Sequence, residues 1–366
     1  MEIPITEIVT NEYQISWLPW AVQYFTLIGI SYSAVLLTLP GLVFHKPDYK
    51  SLAHVALFVA VTTTIVAPVS LLADLHQPAR FWHFYVYLSP WSWMWIGAMI
   101  LPLYVFSVLA YAWLVYRPEL IQRGQQEKGI IASIARYATL GHWQKPQLIK
   151  VLGISSAVLG MLIALYTGAE VMIVKARPLW HTYALPVMFM ITAMGGAAGL
   201  AHLFNRLHFN NTSHVARQLN QILIAVNLLA IIIGVLWLIT GAMGYSSSAS
   251  KALFLLQSDR QWQITLIAES FAVLLVLFFA NHNNVNEHFN NSWLIGFIAI
   301  YSAWMFRWMV FIDVQRIPKY GAGTYSYGIP LGHEGIVGIL GTFGLLVFVF
   351  VCLTTLLPGK NNNITQ

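Results

Sequence analysis

Nine stretches of this chain run for about 20 predominantly apolar residues each, the length that crosses a bilayer as a helix. They lie near 20–44, 51–73, 92–116, 148–174, 182–206, 220–243, 261–280, 293–315 and 334–357. The expected fold is an all-α integral membrane protein of about nine transmembrane helices. The length of 366 residues would on its own allow two soluble domains. Only 9% of the residues are charged, however, against about 25% in a soluble domain, so water is not the main solvent. Residues 1–19 carry Glu2, Glu7 and Glu12 but neither Lys nor Arg, which is the wrong start for a cleaved signal peptide, and the first span is expected to stay.

The distribution of basic residues gives an orientation. The N-terminus and the loops after even-numbered spans hold seven Lys and Arg, while the loops after odd-numbered spans and the C-terminus hold eleven. Six of the eleven fall in the 117–150 connection. Loop cations favour the cytoplasm, so residues 1–19 are expected to be periplasmic and the tail 358–366 cytoplasmic, with 20–357 a single membrane domain. The same rule accounts for the net charge of +6 without nucleic acid as a partner. Tryptophans near the span ends, among them Trp17, Trp82, Trp180 and Trp293, read as an interfacial belt in contact with the lipid bilayer. The lone cysteine, Cys352, cannot by itself supply an iron–sulfur cluster, a structural zinc or an internal disulfide.

Ionisable groups within spans are costly and mark function by default. Here they follow a pattern. Spans two, four and eight all run towards the expected outer face, and each ends with an acid followed by an arginine: Asp74 and Arg80, Glu170 and Arg177, Asp313 and Arg316. His76 and His181 lie beside the first two. The segments Ala79-Arg-Phe-Trp-His83 and Ala176-Arg-Pro-Leu-Trp-His181 echo each other, consistent with two four-helix-bundle halves plus one extra helix. Tyr166 and Glu170, four residues apart, share a helix face. Carboxylates, histidines and a tyrosine where water can reach suit the oxidation of a quinol, which must release two protons while its oxygens are held. The alternative is that each acid only pins its own arginine.

Glu269 and Arg307 lie at equal depth, about 12 Å in at 1.5 Å per residue, on consecutive spans, and are expected to form a buried structural ion pair. Twelve histidines raise the question of haem, which needs ligands from facing helices. His54 and His202 near one face, or His76 and His181 near the other, are the candidates by depth. The sites of His76 and His181 in loops rich in Pro and Trp argue instead for hydrogen bonding, and no metal site is expected.

These motifs resemble those of the polysulfide reductase membrane subunit family, also called NrfD-like. The resemblance is carried by Ile15-Ser-Trp-Leu-Pro-Trp-Ala-Val-Gln-Tyr24, Ala73-Asp-Leu-His-Gln-Pro-Ala-Arg-Phe-Trp-His-Phe-Tyr85, Ser89-Pro-Trp-Ser-Trp-Met94, Tyr166-Thr-Gly, Ala176-Arg-Pro-Leu-Trp180, Ile317-Pro-Lys319 and Leu340-Gly-Thr-Phe-Gly344. Within the family the wording around span two is nearest to the tetrathionate branch. The resemblance implies a bacterial inner-membrane subunit without haem or iron–sulfur cluster of its own. Such subunits bind menaquinol or ubiquinol near the outer face and pass electrons to a periplasmic ferredoxin-like iron–sulfur subunit, which feeds a molybdopterin enzyme. Tyr166 looks like the quinone-bonding tyrosine, and Asp74, His76 and Arg80 match the family's outer acidic motif; Glu170 joins them as a catalytic candidate, and Arg177 and His181 join Tyr166 as candidates for holding the quinone. Polysulfide-type relatives offer a histidine on the first span; residues 17–44 contain none, and Gln23 or Tyr24 stands in its place. The same quinol module could serve a polysulfide or thiosulfate reductase. A solute transporter is the reading from another class, with Glu269 and Arg307 as its midplane charges.

Overall fold

The computed structural model describes residues 15–126, 128–141, 143, 146–209, 213–285, 291–317 and 324–357. Residues 1–14 of the expected periplasmic segment, the tail 358–366, and Pro318 and Lys319 of the family-like motifs lie outside the described residues. Among those described, twelve α-helices are present: α1 (Pro19–Thr38), α2 (Lys50–Asp74), α3 (His83–Val86), α4 (Trp93–Gln126), α5 (Ile130–Ala138), α6 (Pro146–Met172), α7 (Ala184–Leu207), α8 (Ser213–Ala242), α9 (Ser247–Ser258), α10 (Arg260–Val285), α11 (Ser292–Trp308) and α12 (Ile336–Leu356). Nine of them, counting π-helical extensions of α1 and α11, are long and apolar enough to cross a membrane. The third and sixth run further than their apolar cores, to Gln126 and back to Ser213, because helices continue into polar residues once the backbone has entered the helix.

The nine helices form an all-α bundle in two halves. In the first half α1 and α2 pack side by side, with α4 and α6 across from them; in the second, α7, α8, α10 and α11 do the same. The ninth helix, α12, lies against α2 and α1. The halves meet where α7 packs on α1, α2 and α6, and where α11 reaches α1. Helix α1 is therefore the hub: 17 of its 20 residues are buried. Its sequence is largely apolar and has no distinct polar face, as fits a helix enclosed on every side. By contrast α8 presents most of its surface outward, with Leu236, Ile232 and Val235 exposed as lipid-facing side chains would be.

Close approach of α7 to α11 within the second half, and to α1 of the first, depends on small residues. A methyl group on Gly199 of α7 would lie 2.8 Å from the Ala299 Cβ and 3.0 Å from the Gly296 carbonyl of α11. One on Gly196 would lie 2.9 Å from Ala303 of α11 and 3.0 Å from Ile30 of α1. The Met194–Gly199 run is thus a packing surface of a continuous helix, not the broken helix a transporter would place there.

The ends of α2, α6 and α11 that carry Asp74, Glu170 and Asp313 all lie on one side of the bundle, hereafter the acidic face. The opposite face carries α5, which follows Gly129 with its positive φ of 105°. There Arg117, almost fully buried, donates to the Thr139 and Leu140 carbonyls and to that of Gly141, tying the 139–141 loop back onto α4.

Candidate functional site at the acidic face

On α6, Tyr166 and Glu170 stand one turn apart on one helix face, within electrostatic reach of each other. Tyr24 of α1, buried, comes close enough to feel the Glu170 charge and to interact with Tyr166. The ring of Tyr166 rests on bare backbone of α4: a methyl group on Gly97 would overlap it, at 2.5 Å from Cε1 and closer still to Cζ and the hydroxyl. Only glycine admits the ring there. Next to it, Gly168 lets α6 approach Pro186 at the start of α7, where an added Cβ would meet Pro186 Cα at 2.5 Å. Tyr166 is half-buried and Glu170 buried, so the pair lies just beneath the surface of the face.

Asp74 ends α2 and accepts the backbone N–H of Leu18 at 3.1 Å. It therefore serves the entry of α1, where an acid both satisfies an orphan amide and faces the positive end of the helix dipole. Gln315 completes that entry by accepting from the Ser16 and Trp17 amides, each at 3.0 Å, and donating to the Trp17 carbonyl at 2.9 Å. His76 and Arg80 are exposed and line a shallow pocket with His83, Tyr87, Trp91 and Trp95.

Arg177 and His181, expected at a quinone, have structural partners. Arg177 is buried and donates to the Val314 and Ile317 carbonyls at 3.1 and 2.9 Å. Trp180 donates its indole N–H to the Val310 carbonyl at 2.6 Å. That carbonyl lies within the π-helical turn Met309–Asp313 that prolongs α11. The exposed His181 bonds to the Met172 carbonyl through Nδ1 at 2.8 Å. The loop after α6 is thereby clamped to the end of α11. Gln23 is buried on α1, and neither oxygen nor nitrogen of its amide has a hydrogen-bond partner among the described residues.

The local acid–arginine pairing alternative is not what forms. Among the described residues no ion pair joins Asp74, Glu170 or Asp313 to the arginine that follows it. Arg316 instead pairs with Asp259, at the junction of α9 and α10, at 3.1 Å. Burial alone would push the Asp259 carboxyl up, but the Trp262 N–H at 2.7 Å and the Arg316 guanidinium hold it below the usual carboxylate range.

The expected contact between Glu269 and Arg307 is also corrected. Glu269 Oε1 accepts from Ser302 on α11 at 2.8 Å. Arg307, fully buried, turns the other way: it donates to Phe25 O of α1 at 2.9 Å, to Phe189 O and Thr192 Oγ1 of α7 at 3.0 Å each, and to Ala303 O at 2.7 Å. The reason is azimuth. Ser302 and Arg307 are five residues apart, about 140° around a helix of 3.6 residues per turn, so both cannot face α10. Equal depth brings the two within reach of each other's charge without a direct contact.

Sequence reasoning missed a buried hydroxyl cluster below Tyr24. Ser31 of α1 bonds Thr64 of α2 at 2.5 Å and Tyr104 of α4 at 2.7 Å, and Tyr32 lies within electrostatic reach of Arg307. The available signal was the seven-residue spacing of Tyr24 and Ser31, which puts them on one stripe of α1. His202 is fully buried beside Asn220 of α8.

A family model described as "Polysulphide reductase, NrfD" matches residues 8–319. The chain is 32% identical to a tetrathionate reductase subunit of Salmonella typhimurium over 97% of its own length and 96% of the relative's. It is 29% identical to a selenate reductase subunit of Mesobacillus selenatarsenatis over 52% of this chain and 48% of that one. Protein NrfD of Escherichia coli is 25% identical over 52% and 60% respectively.

Proposed function

Because the chain belongs to the NrfD family of polysulphide reductase membrane subunits, we propose that it oxidises a quinol at the acidic face and hands the electrons to a reductase complex docked there. The observation that carries this reading is the Tyr166–Glu170 pair, with Tyr24 facing it and Gly97 beneath it. A quinol hydroxyl needs a hydrogen-bonding partner that fixes its oxygen and a base that takes its proton. The Tyr166 hydroxyl supplies the first and the Glu170 carboxylate the second, one helical turn apart. Asp74, already beside the surface and held at the start of α1, passes protons to solvent, with His76 as the exposed group next to it. Gln23 and Tyr24 complete the binding wall from α1. Arg177 and His181 act one step back, by fixing the loop that roofs the site.

Loss of two protons and two electrons converts the quinol to quinone. The electrons leave one at a time to the nearest cluster of a ferredoxin-like iron–sulfur subunit and thence to a molybdopterin subunit. This chain supplies neither cluster nor haem. The exposed aromatic stretch at the same face, with Trp82, Tyr87 and Trp91, is the proposed seat of the partner. The acidic face is the periplasmic one on the distribution of basic residues, placing the N-terminus outside and the C-terminus in the cytoplasm of a bacterium. Full-length similarity to a tetrathionate reductase subunit makes tetrathionate the proposed final acceptor. Partial similarity to a selenate reductase subunit makes another oxyanion the second reading.

The test is quinol-driven tetrathionate reduction in membrane vesicles, with the gene intact, deleted, or carrying Tyr166→Phe or Glu170→Gln. Loss of the quinol-driven rate on deletion, with an artificial donor to the catalytic subunit still effective, establishes the role. An undiminished quinol-driven rate after deletion refutes it, and the two point variants decide where the quinol sits.

A further inference from the structure

The second bundle encloses a cavity of about 460 Å³ between α7, α8, α10 and α11, on helices other than those that carry Tyr166 and Gly97. It extends from Trp262 near the acidic face down to Asn227 and Glu269. The walls are overwhelmingly aliphatic. A volume of this order holds a molecule of drug size. Ile231 and Val235 of α8 both line the cavity and are 37% and 50% exposed, so it opens on the lipid side.

Three residues of its lining carry buried polar atoms that are left over. Glu269 is 8% exposed and spends only Oε1 on Ser302; Oε2 has no partner among the described residues. The indole N–H groups of Trp237 and Trp262 likewise find no acceptor among them. Asn227 donates one of its two amide N–H groups to the Leu223 carbonyl at 2.8 Å. A carboxyl oxygen and two donors without partners, buried at membrane depth, carry a heavy desolvation cost unless a ligand meets them. An acyl chain would leave all three unmet. A water-soluble solute would find most of the wall hostile. What fits is a flat aromatic head with a hydroxyl or carbonyl at each end and a long apolar tail.

We propose that this cavity is a second binding site for an isoprenoid quinone, with the Glu269 carboxyl hydrogen-bonded to one ring oxygen and the indole of Trp237 or Trp262 to the other. Glu269 accepts from a quinol hydroxyl when ionised and donates to a quinone carbonyl when protonated, so both redox forms are held. The tail leaves past Ile231 and Val235 into lipid. This rests on the preceding reading only in taking quinones as the ligands the chain handles; the residues are different.

The experiment uses the whole complex in lipid nanodiscs, a photoactivatable azido-quinone, and peptide mapping of the attached label. The expected result is label on peptides spanning 226–238 and 262–274 as well as around Tyr166, displaced by excess unlabelled quinone. Ala230→Trp, which fills the cavity from α8, and Glu269→Leu should each cut the label in those two peptides at least tenfold while sparing that at Tyr166. Retained label at Tyr166 also shows that the variants fold. Label confined to the Tyr166 region overturns the second site and leaves the first. Label in the second bundle alone supports this site and refutes the other. A photoactivatable fatty acid that marks the same peptides, without displacement by quinone, shows an acyl pocket and overturns the proposal.

Discussion

Gly97→Ala perturbs the proposed quinol site without touching any group that handles a proton. The added Cβ would stand 2.5 Å from Tyr166 Cε1, whereas ordinary contact begins near 3.4 Å. The ring must retreat by about 1 Å or more, and the hydroxyl at its far edge moves with it. The neighbours restrict the retreat, since α6 is wedged against Pro186 at Gly168. Misplacing a positioning group by about 1 Å costs on the order of 100-fold in rate, which corresponds to about 2.7 kcal/mol at 1.36 kcal/mol per tenfold. The quinol-driven rate in vesicles should therefore fall about 10- to 100-fold, with the artificial-donor rate unchanged. Gly344→Ala in α12 is the control, because a Cβ there meets nothing within 4 Å and should leave both rates alone. In a Tyr166→Phe background most of the penalty should vanish, as the hydroxyl is already gone. A Gly97→Ala protein with full quinol-driven activity and normal abundance would refute the placement of Tyr166 over Gly97, or its part in the site.

Three further outcomes are expected. Arg307→Ala removes four hydrogen bonds from a buried cation and should destabilise the purified protein by about 3–5 kcal/mol, seen as a large drop in the thermal midpoint in detergent. A double-mutant cycle of Arg307→Ala with Glu269→Gln should show less than about 1 kcal/mol of coupling, since the two side chains bind different partners; a larger value would restore the direct pair. Asp259→Asn should loosen the junction of α9 and α10 to limited proteolysis at neutral pH. The Asp259 carboxyl lies below its ordinary 3.8 in the folded protein, so its contribution is complete above about pH 4 and disappears as pH falls through the lower folded value. Wild type and variant should become equally sensitive there, and a difference that persists at low pH would contradict the Asp259–Arg316 pairing.

The nine spans were legible because length and apolarity suffice to define a membrane helix, and the two-bundle plan was legible in the echo of Ala-Arg and Trp-His around Arg80 and Arg177. Tyr166 and Glu170 were legible because four residues make one helical turn. What the sequence did not carry was direction around a helix axis. Glu269 and Arg307 match in depth, yet Ser302 holds the side of α11 that faces α10 and Arg307 looks into the hub. The arginines after α6 and α11 are near their acids in the chain, but long side chains serve whatever carbonyls and carboxylates the tertiary fold brings up, here Val314, Ile317 and Asp259. Gly97 gave no signal because a glycine in an apolar run declares nothing about the ring laid on it from another helix.

The enclosure of α1 has a consequence for how the protein is made. Helix α1 leaves the ribosome ahead of the helices that come to enclose it, and the guanidinium that grips its Phe25 carbonyl belongs to α11, some 280 residues later in the chain. Until that arginine has been inserted, the Phe25 carbonyl on the α11 side of α1 lacks its donor, although α2 and α4 have already met Ser31. Closure of the hub therefore comes late in synthesis, when most of the chain is already in the membrane. A nascent chain stalled before α11 should present the membrane quality-control proteases with an unsecured first helix, and they should degrade it faster than a chain stalled just after Arg307.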